Sequence, residues 1–199
     1  MYRHIKRVFD FSIASISLVV LSPLFLLLAI VIKMDSPGPV LFKQKRIMRG
    51  KETYIMLKFR TMRIDAPKDI PTHLLENPEL FISKIGKILR KFSLDEIIQI
   101  VHILSGKMSL IGPRPALWNQ YDLIAERDKY GANDVRPGLT GWAQINGRDE
   151  LSISVKARLD GEYVQNISFR MDFRCFIKTI IKVIRKDNVV EGAECVETK

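Results

Sequence analysis

Two adjacent carboxylates, Asp95 and Glu96, stand in the stretch LRKFSLDEIIQI between a basic pair and an apolar run. Such acids can hold a divalent metal or attack phosphorus, provided that cations nearby offset the phosphate charge. Ser93 and Glu96 also match the capping box S-x-x-E, which starts a helix without any chemistry. The two interpretations are compatible, because the positive first turn of a helix stabilises carboxylates and also attracts phosphate.

Four cations on three segments could supply the positive charge that phosphate chemistry needs. Arg90 precedes the acids, and Arg114 stands in GPRP, where two prolines restrict its backbone and favour a guanidinium aimed at an anion. Lys58 and Arg60 alternate with apolar residues in TYIMLKFRTM and therefore point to one face of a strand. A solvated strand face and a pair of phosphate ligands explain that face equally well.

The loop VRPGLTGWAQINGR joins cations with turn-forming residues. It contains Arg136, Gln144 and Arg148 together with a Pro-Gly pair and two further glycines. Glycine lets a ligand approach the backbone closely, but the same composition also describes an ordinary structural loop. Structural and functional interpretations of this loop both stay open on composition alone.

Composition limits the classes of protein that remain. The chain has 199 residues, a formal net charge of +10 and two cysteines, Cys175 and Cys195, without metal or disulfide spacing. Excess positive charge favours nucleic acid, an anionic membrane or a phosphorylated substrate as partner. We expect no nucleic-acid partner, because no helix-turn-helix, zinc or aromatic-platform signature occurs. A D-x-D pair typical of metal-dependent nucleotidyl-sugar glycosyltransferases is also absent, whereas Mg²⁺-assisted phosphoryl transfer fits the acids and cations.

An uncharged apolar run from Phe11 to Ile32 predicts a membrane helix. As one helix it would be about 33 Å long, enough for a bilayer core of about 30 Å. Ser22 and Pro23 at its centre predict a kink, and basic residues on both flanks favour the cytoplasmic side for both ends. We therefore expect a re-entrant helix that bends there, with Ser22 satisfying a carbonyl that the proline frees. A straight span and a buried helix of a soluble protein are the alternatives.

Other segments predict the elements that position the acids. Alternation in VLFKQK and in residues 53–62 predicts a small β-hairpin with a turn around Gly50. A first helix is predicted from the N-cap Asn77 and a second from Ser93, which places the two acids in the first turn of the second helix.

The C-terminal third predicts an amphipathic helix. Apolar residues repeat at helical spacing from Phe173 to Ile184, with lysines and an arginine elsewhere on the surface. This pattern suits a membrane interface, and packing against the protein core explains it equally well. Residues 187–199 are predicted to be a flexible tail.

Seven motifs, taken together and in order, resemble those of the bacterial sugar transferases, the monotopic phosphoglycosyl transferases that act on polyprenol phosphate. They are KRVFD, the apolar run with its central Ser-Pro, SPGPVLFKQKR, LKFRTM, LRKFSLDE, GKMSLIGPRP and VRPGLTGWAQINGR. The resemblance covers residues 1–185 and is to the small members that consist of the catalytic domain alone. It departs at Ile97-Ile98-Gln99, where the family often has Leu-Pro-Gln, and at His102, where it has asparagine. A lone histidine on an apolar helix is more often structural than catalytic.

The resemblance implies an enzyme on the cytoplasmic face of the bacterial inner membrane. It would transfer a sugar-1-phosphate from a UDP-sugar to undecaprenyl phosphate and release UMP. That reaction is the first membrane step of capsule, O-antigen, exopolysaccharide or glycoprotein glycan assembly. Mg²⁺ is the implied cofactor, and downstream glycosyltransferases are implied partners. The stretch GPRPALWNQYDL is closest to members that use N-acetylated 6-deoxy sugars.

Residue roles follow from the same resemblance. Asp95 would be the nucleophile that forms an aspartyl phosphosugar intermediate, and Glu96 would support the metal or proton transfer. Both acids are expected to hold Mg²⁺. No role follows for Asp160, Tyr163 or Asp172. The expected substrate-binding residues are Lys58, Arg60, Arg90, Arg114, Arg136, Gln144 and Arg148.

The predicted fold is α+β, mainly α, in a monotopic membrane protein with interfacial amphipathic helices. Residues 1–34 would form the re-entrant helix-break-helix, and residues 35–186 the cytosolic catalytic domain. A catalytically inactive membrane-surface adaptor with the same fold is the alternative from another class of protein. Both would keep the anchor at Ser22 and Pro23, but only the enzyme needs Asp95.

Overall fold

The computed structural model describes residues 2–67, 75, 77–147 and 150–185. Within these ranges helices predominate over four short strands, so the predicted mainly helical α+β composition is confirmed. The helices are α1 (Tyr2–Asp35), α2 (Lys84–Lys91), α3 (Ile100–Leu104), α4 (Tyr121–Asp128), α5 (Trp142–Ile145), α6 (Ile153–Gln165) and α7 (Phe169–Arg185). The strands are β1 (Leu41–Ile47), β2 (Thr53–Phe59), β3 (Ser109–Ile111) and β4 (Gly138–Thr140).

Helix α1 continues through Ser22 and Pro23 without interruption. The helix is therefore not divided in two at these residues, whereas the predicted bend and the return to the same membrane face stay predictions. Proline lacks the N–H that would bond the carbonyl four residues earlier, which here belongs to Val19. Ser22 Oγ donates to that oxygen at 2.7 Å, so the predicted compensation by Ser22 is confirmed.

One side of α1 packs against the rest of the protein along most of its length. Ala14 joins a core cluster with Tyr54 and Ile103, and Ile32 joins another with Phe59 and Leu89. The residues of this contact stripe follow one another at helical spacing. They are Asp10, Ala14, Leu18, Leu21, Phe25, Leu28 and Ile32.

The remaining surface of α1 is exposed and apolar. Val19, Val20 and Leu26 each expose about two thirds of their surface or more. Among the described residues, α1 is long and apolar enough to cross a membrane, and only 11% of its most apolar window is buried. So large an exposed apolar surface is typical of a helix in contact with lipid and disfavours the alternative of a buried helix in a soluble protein.

The predicted hairpin is confirmed. Strands β1 and β2 pair antiparallel, with Leu41 opposite Phe59 and Ile47 opposite Thr53. Gly50 makes the turn between them with φ 71°, a conformation that favours glycine. Strand β2 ends at Phe59 rather than at Met62, which instead forms an isolated bridge with Ile82.

Both helices predicted around the acids begin later than the sequence indicates. Asn77 precedes only a short 3₁₀ helix, Pro78–Leu80, and makes no side-chain cap. Helix α2 is capped by Ser83, whose Oγ accepts from the N–H of Gly86 at 3.0 Å. Ser93 lies in the left-handed region with φ 54° and therefore starts no helix. A 3₁₀ helix at Ile97–Gln99 leads into α3 instead.

A second layer is built from a small parallel sheet and the last two long helices. Strand β3 pairs with β4, and the backbones of Gly112 and Gly138 approach so closely that a Cβ on either would collide. Arg127 on α4 and Asp160 on α6 form a buried ion pair at 2.6 Å. Asp160, which carried no predicted role, therefore joins two helices.

One polar network connects the start of α1 to α6 and α7. Asp172 accepts from Tyr163 at 2.8 Å, from Tyr2 at 2.7 Å and from Lys6 at 2.9 Å. Because these four side chains come from three helices, the network fixes how α7 lies beside α1.

The predicted amphipathic C-terminal helix is confirmed as α7. Cys175 and Asp172 are buried on its inner side. Its outer side exposes apolar residues, so packing against the described core does not account for the apolar pattern. The exposed residues are Phe169, Phe173, Phe176, Ile177, Ile180, Ile181 and Ile184. The predicted tail, residues 187–199, lies outside the described residues.

Candidate active site

The outer edge of β2 positions the acidic pair. The N–H of Phe59 donates to the carbonyl oxygen of Asp95 at 2.9 Å. The N–H of Leu57 donates to Nε2 of His102 at 3.0 Å. Both donors face away from β1, and an unpaired buried N–H would be costly. The acids are thus held against the strand that carries Lys58 by backbone bonds rather than by a helix cap.

His102 has a structural role in this arrangement. Its ring receives the backbone N–H of Leu57 and meets Tyr54 edge-on at 5.4 Å between ring centroids. Burial lowers the pKa of His102, with Lys107 as a smaller cause. A neutral ring with an acceptor nitrogen is what the hydrogen bond from Leu57 requires.

Two cations from distant segments neutralise Glu96. Lys58 Nζ lies 2.9 Å from Oε1, Arg114 Nη2 lies 2.6 Å from the same oxygen, and Arg114 Nη1 lies 3.1 Å from Oε2. Charge-assisted and bidentate bonds are stronger than the bond of a carboxylate to a neutral N–H. The predicted capping box is therefore wrong, because these cations hold the carboxylate that would have capped the helix.

Lys58 is strongly influenced by its surroundings. Burial lowers its pKa, while the negative charges of Glu96 and, to a smaller extent, Asp95 oppose this effect. Its ion pair with Glu96 is only slightly accessible to solvent, with 15% and 11% of the two side chains exposed. The predicted face of Lys58 is therefore not a solvated strand face.

Asp95 opens onto a different space from its neighbour. It lines a cavity of about 370 Å³ between the hairpin and α2, here called the Asp95 cavity. Glu96 does not line this cavity. The cationic side chains in its wall are Lys43, Arg46, Lys58, Arg60, Arg63 and Arg90. So many cations around one buried carboxylate create a site that favours polyanions such as phosphate groups.

The predicted phosphate ligands Arg60 and Arg90 both lie in the wall of the Asp95 cavity. Arg60 donates to the carbonyl oxygens of Pro37 at 2.6 Å and Ser36 at 2.7 Å. Arg90 Nε donates to Thr61 Oγ1 at 2.9 Å. These bonds give Arg60 a structural task, the anchoring of the turn between α1 and β1, in addition to its place in the wall.

On the other side of Glu96 lies an apolar groove of about 280 Å³, here called the Glu96 groove. Ser93 and Gln144 contribute polar groups, and α7 contributes the partly exposed apolar side chains of Phe176 and Ile180. Gln144 Nε2 donates to the carbonyl of Leu139 at 3.3 Å, and its Oε1 is buried without a partner among the described residues. The predicted ligand Gln144 thus lies beside Glu96 and not in the Asp95 cavity.

Arg136 lies in a third cavity, apart from both spaces beside the acids. Its Nε donates to the carbonyl of Gly106 at 2.9 Å, and its side chain lines a separate cavity beside the start of α1. The backbone of Arg136 is near Gly112 in the GPRP segment, but its guanidinium is directed elsewhere. Arg136 therefore lines neither the Asp95 cavity nor the groove beside Glu96, and its predicted role in substrate binding stays a prediction. Arg148 lies outside the described residues.

Sequence reasoning missed Lys43 and Arg46 as part of the site. In the sequence they belong to the basic flank that follows the apolar run, but both line the Asp95 cavity. Arg46 donates to Gln44 Oε1 at 2.7 Å and to the carbonyl of Pro115 at 2.9 Å, which ties β1 to the GPRP segment. The available signal was the position of Arg46 on the strand paired with the one that carries Lys58.

The donor set fits Mg²⁺ only when a substrate supplies further ligands. Among the described residues no group of three His, Cys, Asp or Glu side chains could hold a metal ion. Mg²⁺ is commonly bound by one or two carboxylates together with substrate phosphates. Asp95 meets that smaller requirement, and Glu96 would join it once Lys58 or Arg114 releases one of its oxygens.

An acidic pair among cations, beside a long exposed apolar helix, is typical of membrane-associated proteins that handle phosphate. Comparison with known proteins agrees with this class. The family model described as "Bacterial sugar transferase" matches residues 1–186. The chain therefore belongs to the bacterial sugar transferase family.

Three relatives illustrate the match. An uncharacterized sugar transferase of Bacillus subtilis, EpsL, is 37% identical over 93% of this chain and 90% of its own length. The exopolysaccharide production protein ExoY of Sinorhizobium fredii is 35% identical over 88% of this chain and 83% of its own length. The UDP-glucose:undecaprenyl-phosphate glucose-1-phosphate transferase of Escherichia coli is 36% identical over 90% of this chain, but only 40% of its own length is covered.

Proposed function

We propose that this protein transfers a sugar-1-phosphate from a UDP-sugar to undecaprenyl phosphate and releases UMP, with Asp95 as a covalent nucleophile. The observation that carries the proposal is the different setting of the two acids. Lys58 and Arg114 neutralise Glu96, whereas Asp95 lies in the wall of a cavity lined by six cations. There an anionic nucleophile and an anionic diphosphate can meet without prohibitive repulsion.

The reaction takes place in two displacements at one phosphorus atom. A carboxylate oxygen of Asp95 attacks the phosphorus that bears the sugar, and the bond from that phosphorus to the bridging oxygen breaks, so UMP leaves with the electron pair. A phosphate oxygen of the lipid then attacks the same phosphorus, and the bond to Asp95 breaks. The carboxylate is regenerated and the product is a lipid-linked diphosphosugar.

A covalent intermediate suits the two substrates. The UDP-sugar is soluble and the acceptor is a lipid, and the two-step route does not require both to be bound together. The two spaces beside the acids match this division. The Asp95 cavity is cationic, and the Glu96 groove is mostly apolar and lies next to α7.

Lys58, Arg90 and Arg114 are assigned to phosphate charge and orientation. Lys58 and Arg90 line the cavity directly. Arg114 acts on Glu96 in the arrangement described here, so its effect on the phosphates passes through that carboxylate or requires its release. Mg²⁺, when held by Asp95 and Glu96, would neutralise diphosphate charge as a Lewis acid.

We further propose that α1 enters the cytoplasmic leaflet of the bacterial inner membrane and returns to the same face. Support comes from the contact stripe on α1, which meets the folded domain from Asp10 to Ile32. The first turn is also tied to the domain, since Lys6 bonds Asp172. A straight span would carry one end of this contact surface through the bilayer. The exposed apolar side of α7 would rest at the same interface.

The sugar is proposed to be an N-acetylated 6-deoxy sugar. The support is the stretch GPRPALWNQYDL, which leads from Arg114 into α4. The product would enter capsule, O-antigen, exopolysaccharide or glycoprotein glycan assembly and pass to downstream glycosyltransferases. A panel of UDP-sugars tests this choice. Faster turnover of UDP-glucose, the donor named for the Escherichia coli relative, would contradict it.

The decisive experiment measures UMP release and the intermediate separately. The full chain in detergent is mixed with UDP-sugars and Mg²⁺, and intact mass is recorded before undecaprenyl phosphate is added. Wild-type protein should gain the mass of one sugar phosphate, and added acceptor should remove it. Asp95→Asn should show neither the adduct nor UMP release.

Asp122→Asn is the matched control, because Asp122 is exposed in the first turn of α4 and lines neither the Asp95 cavity nor the Glu96 groove. It should behave as wild type. Undiminished UMP release by Asp95→Asn would refute the nucleophile. Absence of release by wild-type protein with every donor would favour the inactive adaptor.

A further inference from the structure

A strongly basic cavity of about 350 Å³ lies at the N-terminal end of α1 and has no part in the transfer reaction proposed above. It shares no lining residue with the Asp95 cavity. Two carboxylates, Asp10 and Asp134, line it together with a larger number of cations. The cationic side chains are Arg3, Lys6, Arg7, Arg49 and Arg136. They come from α1, from the hairpin turn and from the segment before β4.

Asp10, the buried carboxylate in the cavity wall, already has hydrogen-bond partners within the protein. Asp10 is 4% exposed and accepts from Ser109 Oγ at 2.6 Å and from the N–H of Leu110 at 3.3 Å. Lys6 approaches it to 3.5 Å along the helix. Asp10 therefore balances Lys6 and connects α1 to β3. It does not neutralise the four arginines.

The four arginines outnumber Asp134, the other carboxylate in the wall of the cavity. Among the described residues, none of Arg3, Arg7, Arg49 and Arg136 forms an ion pair. Burial lowers the pKa of Arg136, and repulsion from Arg7 and then Arg49 lowers it further. Charges of one sign crowded around a cavity favour a bound counter-ion.

Helix capping explains only part of this cluster. Arg7 donates to the carbonyls of Ile103 at 2.6 Å and Leu104 at 3.2 Å, and Arg136 donates to that of Gly106. Cations commonly bind the free carbonyls at a helix C-terminus in this way. The same explanation does not cover Arg3 and Arg49, which are exposed and lie in the wall of the same cavity.

The surroundings of the cavity indicate which anion reaches it. Ile5 and Phe9 are exposed on the same turns of α1 that supply its lining residues, and Phe169 and Phe173 are exposed on α7. Asp172 keeps the two helix ends together through Tyr2 and Lys6. Basic side chains bordered by exposed apolar ones are typical of proteins that meet lipid headgroups at a membrane surface.

We propose that this basic cavity is a second anion site that binds a phosphate group through the guanidinium groups of Arg3, Arg7, Arg49 and Arg136. Planar guanidinium groups match two phosphate oxygens at once, which suits a cluster of this composition. A phospholipid headgroup and free phosphate carry the same group. Because the site shares no lining residue with the Asp95 cavity, its occupation does not depend on the chemistry at Asp95.

The test measures binding by the full-length protein in nonionic detergent, without UDP-sugar and at constant ionic strength. The probes are inorganic phosphate, phosphatidylglycerol in mixed micelles and phosphatidylcholine, whose phosphate is balanced by choline. The readouts are the unfolding temperature and the lipid retained in native mass spectra. Phosphatidylglycerol should raise the unfolding temperature and remain bound.

The variant Arg3→Gln with Arg49→Gln removes two exposed charges and should fold normally. Its dissociation constant should rise about tenfold or more for each arginine lost. Arg158→Gln is the matched control, because Arg158 is exposed on α6 and does not line the cavity. It should bind as the wild type does.

The probes also separate the two sources of phosphate. Binding of phosphatidylglycerol alone identifies a lipid headgroup site, and equal stabilisation by inorganic phosphate identifies a site for free phosphate. Both outcomes support the second anion site. Equal binding by the double variant and by the wild type, or no binding of either anionic probe, overturns it.

Discussion

Arg114 holds Glu96 with both ends of its guanidinium group: Nη2 lies 2.6 Å from Oε1 and Nη1 lies 3.1 Å from Oε2. Prolines on both sides of Arg114 restrict the backbone that presents this fork. Lys58 approaches Oε1 from the strand at 2.9 Å. Glu96 is therefore held in one orientation by two cations, while Asp95 beside it lines the Asp95 cavity.

Replacement of Arg114 by lysine should slow the reaction strongly. Lysine keeps the charge but cannot form the two parallel bonds, and a hydrogen bond to a charged group contributes about 1.5–3 kcal/mol. We expect UMP release to fall about tenfold to a hundredfold. The phosphosugar adduct should still form, but more slowly, which distinguishes this variant from Asp95→Asn. An unchanged rate would show that the bidentate contact of Arg114 with Glu96 has no role in turnover. Arg158→Lys serves as the control.

Lys58 should determine the alkaline limit of activity. Burial lowers its pKa, so it loses its proton below the ordinary lysine value of about 10.4. Once neutral, it no longer balances Glu96, and activity should fall as pH rises. In Lys58→Arg the charge persists, and the alkaline limb should move to higher pH. The rate of UMP release as a function of pH measures this, and superimposable profiles would exclude Lys58 as the titrating group.

Rising pH should affect stability and activity in opposite directions. Activity should fall, whereas the Lys58 contribution to the free energy of unfolding should increase. The folded protein binds the Lys58 proton less tightly than the unfolded chain does. The Lys58 contribution to the free energy of unfolding therefore increases as pH rises from the lowered folded pKa towards the unfolded value. Lys58→Arg should lack this contribution in the same range, which urea unfolding in detergent can measure.

Loss of Arg127 should destabilise the fold without removing any contact of Asp95 or Glu96. Its partner Asp160 is 1% exposed, and removal of one member of a buried ion pair costs about 3–5 kcal/mol. Arg127→Met should therefore lower the free energy of unfolding by about that amount at neutral pH. The double variant Arg127→Met with Asp160→Leu should recover much of the loss, because it leaves no buried charge. Urea unfolding followed by tryptophan fluorescence compares the three proteins.

The stability loss of Arg127→Met should depend on pH. Burial raises the pKa of Asp160 above its ordinary 3.8, and Arg127 opposes that rise. Without Arg127 the folded protein favours the protonated acid more strongly. Protonated Asp160 therefore contributes stability that is fully present below the pKa of Asp160 in the unfolded chain. That contribution is lost as pH rises through the pKa of Asp160 in the folded protein. Arg127→Met should therefore be least impaired in acid, and a deficit that does not change with pH would contradict this account.

Membrane topology can be tested at both ends of the chain. A membrane-impermeant maleimide should reach His4→Cys and the native Cys195 in inverted inner-membrane vesicles but not in spheroplasts. Cys175 should stay unlabelled, because it is fully buried and burial raises the pKa of its thiol to about 12. Labelling of His4→Cys in spheroplasts alone would indicate a straight span and refute the re-entrant arrangement.

Elements with a strong local pattern were predictable. The uncharged run of α1, the 3.6-residue repeat of α7 and the alternation around Gly50 each depend on neighbouring residues, and all three elements formed. Local signals failed where distant groups compete. Ser93 and Glu96 have a capping sequence, but Lys58 and Arg114 offer Glu96 stronger bonds than a helix N-terminus does.

The sequence by itself determined that this protein has a long apolar helix, an excess of positive charge and an acidic pair supplied with cations. It also determined the family, because seven motifs occur in order over nearly the whole chain. Only the tertiary structure decided that Glu96 is bound by cations from two distant segments while Asp95 lines the Asp95 cavity. It also directed Arg136 to a separate cavity. The physical reason is that burial and ion pairing depend on residues far apart in the chain, which no local pattern encodes.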